Sequence, residues 1–190
     1  MALTHQNRQM SQGEFKKFRD LIYRECRISL GPHKKMLVMN RFAKRLRELN
    51  LNSYGEYYDY VTSPEGRKKE LAKMVDAITT NTTQFFREAK QFEFMDQVVW
   101  PELLGEQQRF SSNTIRIWSS ACSTGEEPYT IAISAKEALA RMPGHQVRIL
   151  ATDISDSALD TARQGVYADD KVRNIQKQLL YRYFLKGNDR

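Results

Sequence analysis

The segment that most constrains the fold is Ser119-Ser120-Ala121-Cys122-Ser123-Thr124-Gly125-Glu126-Glu127-Pro128-Tyr129, followed later in the chain by Ala151-Thr152-Asp153. It comes directly after the apolar run Ile115-Arg116-Ile117-Trp118, and Pro128 is placed to open an amphipathic helix. A second strand-like run, Val147-Arg148-Ile149-Leu150, leads to the acid. Strand, small-residue turn, helix, strand, acid is the order in which open α/β folds hold a nucleoside at the carboxyl ends of parallel strands. The turn lets backbone approach the ligand, and the terminal carboxylate can accept both ribose hydroxyls. Thr124 and Glu127 also have capping-box spacing, so the same residues can be read as nothing more than a helix start.

The turn is as informative for what it lacks. A dinucleotide site wants Gly-x-Gly-x-x-Gly, so that a pyrophosphate can rest on the helix N-terminus. Here Gly125 stands alone, two carboxylates follow it, and no Lys comes after the glycine to cradle a phosphate. A cofactor with a ribose, no phosphate and positive charge fits better. S-adenosylmethionine, with its sulfonium and ammonium, is such a molecule.

At 190 residues the chain can hold one large or two small domains, and 41% hydrophobic with 28% charged residues reads as a soluble globular composition. No apolar run approaches the ~18 residues of a membrane span, and the polar N-terminus has no signal-peptide core. Cys26 and Cys122 stand far apart with only three histidines in the chain, which gives neither a disulfide framework nor a metal site. The expected compartment is the cytoplasm.

The net charge of +7 is unevenly placed. Residues 1–75 hold 16 Lys/Arg against 8 Asp/Glu, and the remainder holds 14 against 15. This asymmetry suggests two modules with different partners. The basic module is helical by pattern, with four helices expected. Phe15, Phe18, Leu21 and Ile22 recur at helix spacing behind a Ser11/Glu14 cap, and Gly31-Pro32 breaks the pattern. A second helix from Lys34 to Leu49 puts Val38, Met39, Phe42, Leu46 and Leu49 on one side, and Lys34, Arg41, Lys44 and Arg45 on the other. A short helix follows Asn52-Ser53, and a last one runs from Ser63-Pro64 to Ile78. The junction falls near Thr79–Thr83. There Thr79-Thr80-Asn81-Thr82-Thr83-Gln84-Phe85-Phe86-Arg87-Glu88 reads as a helix re-capped at Asn81 or Thr82–Thr83, with Phe85 and Phe86 entering a core. Arg87 can equally serve a ligand or pair with Glu88 or Glu93.

Three blocks together carry a resemblance: Asn81 to Glu88, Trp118 to Tyr129, and Ala151-Thr152-Asp153-Ile154, with Ala162-Arg163-Gln164-Gly165-Val166-Tyr167 and the basic N-terminal helix in support. The chain resembles the CheR-type chemotaxis receptor methyltransferases over nearly its whole length. The resemblance implies a small N-terminal all-α receptor-docking domain, residues 1–78. A Rossmann-like α/β S-adenosylmethionine-binding domain follows, residues 79–190. It implies methyl transfer to glutamate side chains of chemoreceptors, giving γ-methyl esters and S-adenosylhomocysteine, with no metal. Matched motif to motif, the cofactor contacts fall on Asn81, Thr83, Arg87, Glu127 and Asp153, and Arg87 also lies close to the methyl-transfer centre. The partners implied are the paired cytoplasmic helices of methyl-accepting chemoreceptors, which carry glutamates. Lys34, Arg41, Lys44 and Arg45 are the receptor-contact candidates.

Only two strands can be placed, at 115–118 and 146–152, whereas the family's sheet continues beyond this point. The expectation is therefore a domain incomplete at its C-terminus, with weak cofactor binding. The alternative reading is a catalytically impaired receptor-binding or regulatory module. A nucleic-acid partner is discounted despite a pI near 9.4, because the basic residues lack interleaved exposed aromatics or a known binding motif.

Overall fold

A computed structural model describes residues 9–105, 113–141 and 143–187. The chain divides into two compact units: Met1–Thr80 with Ile154–Asp156, and Asn81–Asp153 with Ser157–Arg190.

The first unit is helical. Helix α1 (Gln12–Cys26) opens on a complete capping box, in which the Glu14 amide donates to Ser11 Oγ at 3.1 Å and the Ser11 amide to the Glu14 carboxylate at 2.7 Å. It ends where Arg27 turns left-handed. After a 3-10 turn at Pro32–Lys34 come α2 (Lys35–Glu48), α3 (Tyr54–Thr62), α4 (Pro64–Lys69) and α5 (Leu71–Ile78). Phe18, Phe42 and Tyr57 meet at the centre of the core, with Phe18 and Phe42 ring centroids 4.9 Å apart. Such contacts at helix spacing bury one stripe of each helix.

The single helix expected from Ser63 to Ile78 is two helices, and the physical cause is Glu70. Its backbone leaves helical geometry, and its carboxylate turns into the core with 1% exposure. There it accepts both a bidentate pair from Arg45, at 2.7 Å for Nε and 2.7 Å for Nη2, and the Tyr57 hydroxyl at 3.1 Å. Three hydrogen bonds from two partners compensate the desolvation of a charge that would otherwise cost several kcal/mol. Burial, and then the Glu70 charge, push the Tyr57 phenol well above its ordinary range.

Arg45 is therefore not part of a solvated basic face; its side chain retains only 14% exposure. Arg41 is also turned inward. Its guanidinium donates to the carbonyls of Ile78 and Thr79 and to the Thr80 hydroxyl, closing the C-terminal end of α5. The free carbonyls of a helix end attract a cation in this way. The even basic stripe expected on α2 is thus divided, with Lys34 and Lys44 exposed and the two arginines engaged internally.

The second unit begins with an extended segment. Residues 79–84 are not helical, and the next helix, α6 (Ala89–Phe94), starts after Glu88 with no side-chain cap. The re-capped helix expected at Asn81–Thr83 does not form, because this backbone makes long-range bonds instead. Helix α6 runs through a π turn at Met95–Val99 into α7 (Trp100–Gly105). Pro101 follows that turn and has no amide to donate, and the ladder there widens so that the Trp100 amide donates to Met95.

Strand β1 (Thr114–Ser120), helix α8 (Glu126–Arg141) and strand β2 (Gln146–Thr152) form a parallel β-α-β unit in which Trp118 pairs with Leu150 and Ser120 with Thr152. Parallel neighbours require such a crossover. One sheet face, with Ile115, Ile117 and Val147, packs with α7 and α8 around Trp100, Leu104, Ala135 and Ala138. The Trp100 indole donates to Ser134 Oγ at 2.7 Å, fixing α7 on α8. Helices α9 (Asp156–Gln164), α10 (Asp169–Val172) and α11 (Lys177–Tyr183) follow.

Two variants test this account of the helical unit. Arg45→Ala leaves the Glu70 carboxylate buried without its cation and is expected to cost about 3–5 kcal/mol in urea unfolding. Gly66→Ala would set a Cβ 1.9 Å from the Tyr60 carbonyl oxygen. A loss of about 1–3 kcal/mol is expected from this overpacking, read as a lower Tm.

Candidate functional site

Strand β1 delivers the chain to a turn in which Ala121, Ser123 and Gly125 all have positive φ, at 58°, 50° and 97°. For the two non-glycines this costs about 1–2 kcal/mol each, and the turn persists because three of its amides are bonded. The Cys122 amide donates to Thr152 at 2.9 Å and the Gly125 amide to Cys122 at 3.0 Å. The Ser123 amide donates to Asp153 Oδ2 at 2.7 Å, which ties the turn to the acid at the end of β2. A Cβ on Gly125 would lie 2.7 Å from the Tyr167 hydroxyl and 2.9 Å from Ala162 Cβ, so no side chain is accommodated there.

The extended segment of the second unit arrives at the same place. The Ser123 hydroxyl donates to the Asn81 carbonyl at 3.1 Å. The Phe86 amide donates to Thr130 Oγ1 at 3.1 Å, and that hydroxyl donates to the Glu126 carbonyl at 2.6 Å. Arg87 is exposed and folds back to give one N–H to the Thr82 carbonyl at 3.0 Å, while Thr83 is half-buried. Phe85 is buried, its ring edge-on to Tyr167 at 4.9 Å and to Phe184 at 5.3 Å. Asn81, Ser123 and Asp153 are therefore joined in one run of hydrogen bonds.

Helix α8 starts at Glu126 rather than at Pro128, which places both glutamates in its first turn. The capping box suggested by Thr124 and Glu127 is not used. Thr124 gives its hydroxyl to the Glu126 carboxylate at 2.5 Å, and Glu127 instead accepts from Ser119 at 2.7 Å and remains exposed. Burial, and then the charges of Asp153 and Glu127, push the Cys122 thiol above its ordinary value. One thiol thus feels both carboxylates. It is buried, with its sulfur 3.8 Å from the Ser123 carbonyl oxygen.

Three carboxylates around a one-glycine turn would repel a pyrophosphate and suit a cationic nucleoside. The donor set fits S-adenosylmethionine on this ground. Among the described residues no group of three or more His, Cys, Asp or Glu side chains could hold a metal ion.

The receptor-contact candidates do not share one environment. Lys34 ends the 3-10 turn in solvent, and Lys44 is 74% exposed, with Glu48 3.8 Å away. Arg41 and Arg45 have internal partners.

Several site residues were not singled out by the pattern. Ser123 joins the three segments, Ser119 orients Glu127, and Tyr167 closes the turn by donating to the Thr124 carbonyl at 2.7 Å. The only sequence signal for Tyr167 was its place in the Ala162–Tyr167 block. A serine's long-range partner leaves no signal at all.

The family model for the CheR methyltransferase SAM binding domain matches residues 81–190, and that for the CheR methyltransferase all-alpha domain matches residues 13–79. The chemotaxis protein methyltransferase of Escherichia coli (strain K12) is 37% identical over 178 residues, covering 94% of this chain and 58% of the relative. That of Borreliella burgdorferi is 36% identical over 184 residues, covering 96% and 65%. Chemotaxis protein methyltransferase 2 of Pseudomonas aeruginosa is 40% identical over 174 residues, covering 92% and 59%. The chain thus spans less than two thirds of the length of these relatives. With both of its halves matched in order, and its turn, strand-end acid and extended segment assembled at one place, the chain belongs to the CheR methyltransferase family.

Proposed function

We propose that this chain serves the S-adenosylmethionine-dependent methylation of glutamate side chains on chemoreceptors in the cytoplasm, forming γ-methyl esters. The observation that carries the reading is the joining of Asn81, Ser123 and Asp153 at the carboxyl ends of two parallel strands, within a family whose matched domain binds this cofactor. In this reading residues 1–78 dock the receptor and residues 79–190 bind the cofactor.

When bound, S-adenosylmethionine supplies an electrophilic methyl group on a sulfonium. Asp153 at the end of β2 would accept the ribose hydroxyls, and Glu127 would hold the cationic part of the cofactor. Asn81 and Thr83 line the same ligand from the extended segment. The acceptor glutamate is ionised at neutral pH, so the chain needs no general base. Its contribution is alignment and the exclusion of water around the carboxylate. Arg87 spends one N–H on Thr82 and is otherwise open to solvent, so its remaining donors can orient an incoming carboxylate. Held loosely, the carboxylate remains nucleophilic; orientation rather than neutralisation is the role assigned to Arg87.

Receptor docking falls first to Lys34 and Lys44, whose ammonium groups face solvent. Arg41 adds positive potential from its internal position, whereas the Arg45 charge is met by Glu70 and Glu48. No helix among the described residues is long and apolar enough to cross a membrane.

Labelled cofactor mixed with chemoreceptor membranes should give base-labile label on the receptor; an absence of label, or label stable to base, rejects the reading. Arg87→Ala should lower the transfer rate by roughly tenfold or more, and Asp153→Ala should weaken cofactor binding in calorimetry; normal transfer and affinity would remove both assignments. Receptor binding should weaken as salt rises from 50 to 300 mM, as surface charge pairing does. Lys44→Glu should weaken binding at low salt and flatten that dependence, without lowering Tm.

A further inference from the structure

Among the described residues of the second unit, Glu126 is the buried carboxylate with an unserved oxygen. It has 0% exposure. One carboxylate oxygen accepts the Thr124 hydroxyl at 2.5 Å, and the other, Oε1, has no hydrogen-bond partner. No basic side chain among the described residues pairs with it. A buried carboxylate without a cation is strongly disfavoured by desolvation. Its place in the first turn of the 16-residue helix α8 offsets part of that through the helix dipole. The rest is uncompensated.

Its neighbours make the cost greater. Glu127 follows it directly, and Asp153 accepts from Ser123 on the same turn. The Tyr167 hydroxyl donates to the Thr124 carbonyl, not to Oε1. Burial, and then the Glu126 charge, push that phenol above its ordinary range. A fold that needed only a helix start could use a neutral residue here. Contrast Glu70, the buried acid of the first unit, which is served by Arg45 and Tyr57.

We propose that Glu126 is a specificity-determining residue whose buried charge, set under the Ser123–Gly125 turn, favours a ligand bearing a sulfonium over the corresponding neutral thioether. This rests on the methyltransferase reading above. Methyl transfer removes the positive charge at sulfur, so the Glu126 carboxylate adds more to the affinity for the substrate form of the cofactor than to that for the product form. The attraction is strengthened because water is excluded from the carboxylate.

The test is the ratio of two affinities, measured by calorimetry on the whole chain with ligand carried to millimolar concentration. Glu126→Gln keeps the shape and removes the charge. Affinity for S-adenosylmethionine should fall by roughly three- to tenfold while affinity for S-adenosylhomocysteine stays within about twofold. Glu126→Asp, which keeps the charge, should preserve the ratio. Should the glutamine variant unfold, as read by circular dichroism, Glu126→Ala supplies the same ratio. Equal weakening of both ligands, or no change in either, overturns the assignment and leaves the cofactor reading standing. Binding of neither ligand by the unaltered chain overturns that reading, and this inference with it.

Discussion

The hydrogen bond from the Ser123 amide to Asp153 is the contact on which the candidate site depends. It closes the β1–α8 turn against the end of β2, and it requires Ser123 to hold a left-handed backbone. Strain of that kind survives only where surrounding contacts over-determine it. Here they do. Neighbouring amides bond within the turn and to Thr152, the Tyr167 hydroxyl seizes the Thr124 carbonyl, and Ala162 closes over Gly125. The strand-end acid is therefore both a structural anchor and the group assigned to the ribose.

The two units solve the burial of an acid differently, and the contrast is instructive. Glu70 breaks a helix to reach Arg45 and Tyr57, and the resulting network gives the small helical unit a polar centre. Glu126 has one hydroxyl donor and a helix N-terminus. Buried charge that is fully served specifies a fold; buried charge that is not served is a resource for binding. The basic helix shows the same division. Two of its four singled-out cations stabilise the unit internally and two face the solvent.

Much of the architecture was legible because it rests on local rules. The Ser11/Glu14 cap, the apolar stripes of α1 and α2, and the strands on either side of α8 all follow from spacing and chain order. The failures came from long-range contacts. The Thr/Asn-rich run 79–83 has the composition of a helix cap, yet its backbone bonds to side chains far along the chain. The Ser63–Ile78 pattern is continuous at helix spacing, yet a buried ion pair interrupts it.

By itself the sequence determined the order of elements, the acidic one-glycine turn that excludes a dinucleotide, and the residue blocks that mark the CheR family. Only the tertiary structure decided which side chains do which work. It gave Arg41 and Arg45 to the interior, turned Glu127 away from capping, made Ser123 the junction, and left Glu126 buried with one oxygen unserved. The reason is one of range. Periodicity and capping are set by residues a few positions apart, whereas the partner of a buried polar group is chosen by whichever distant segment the packing brings within 3 Å.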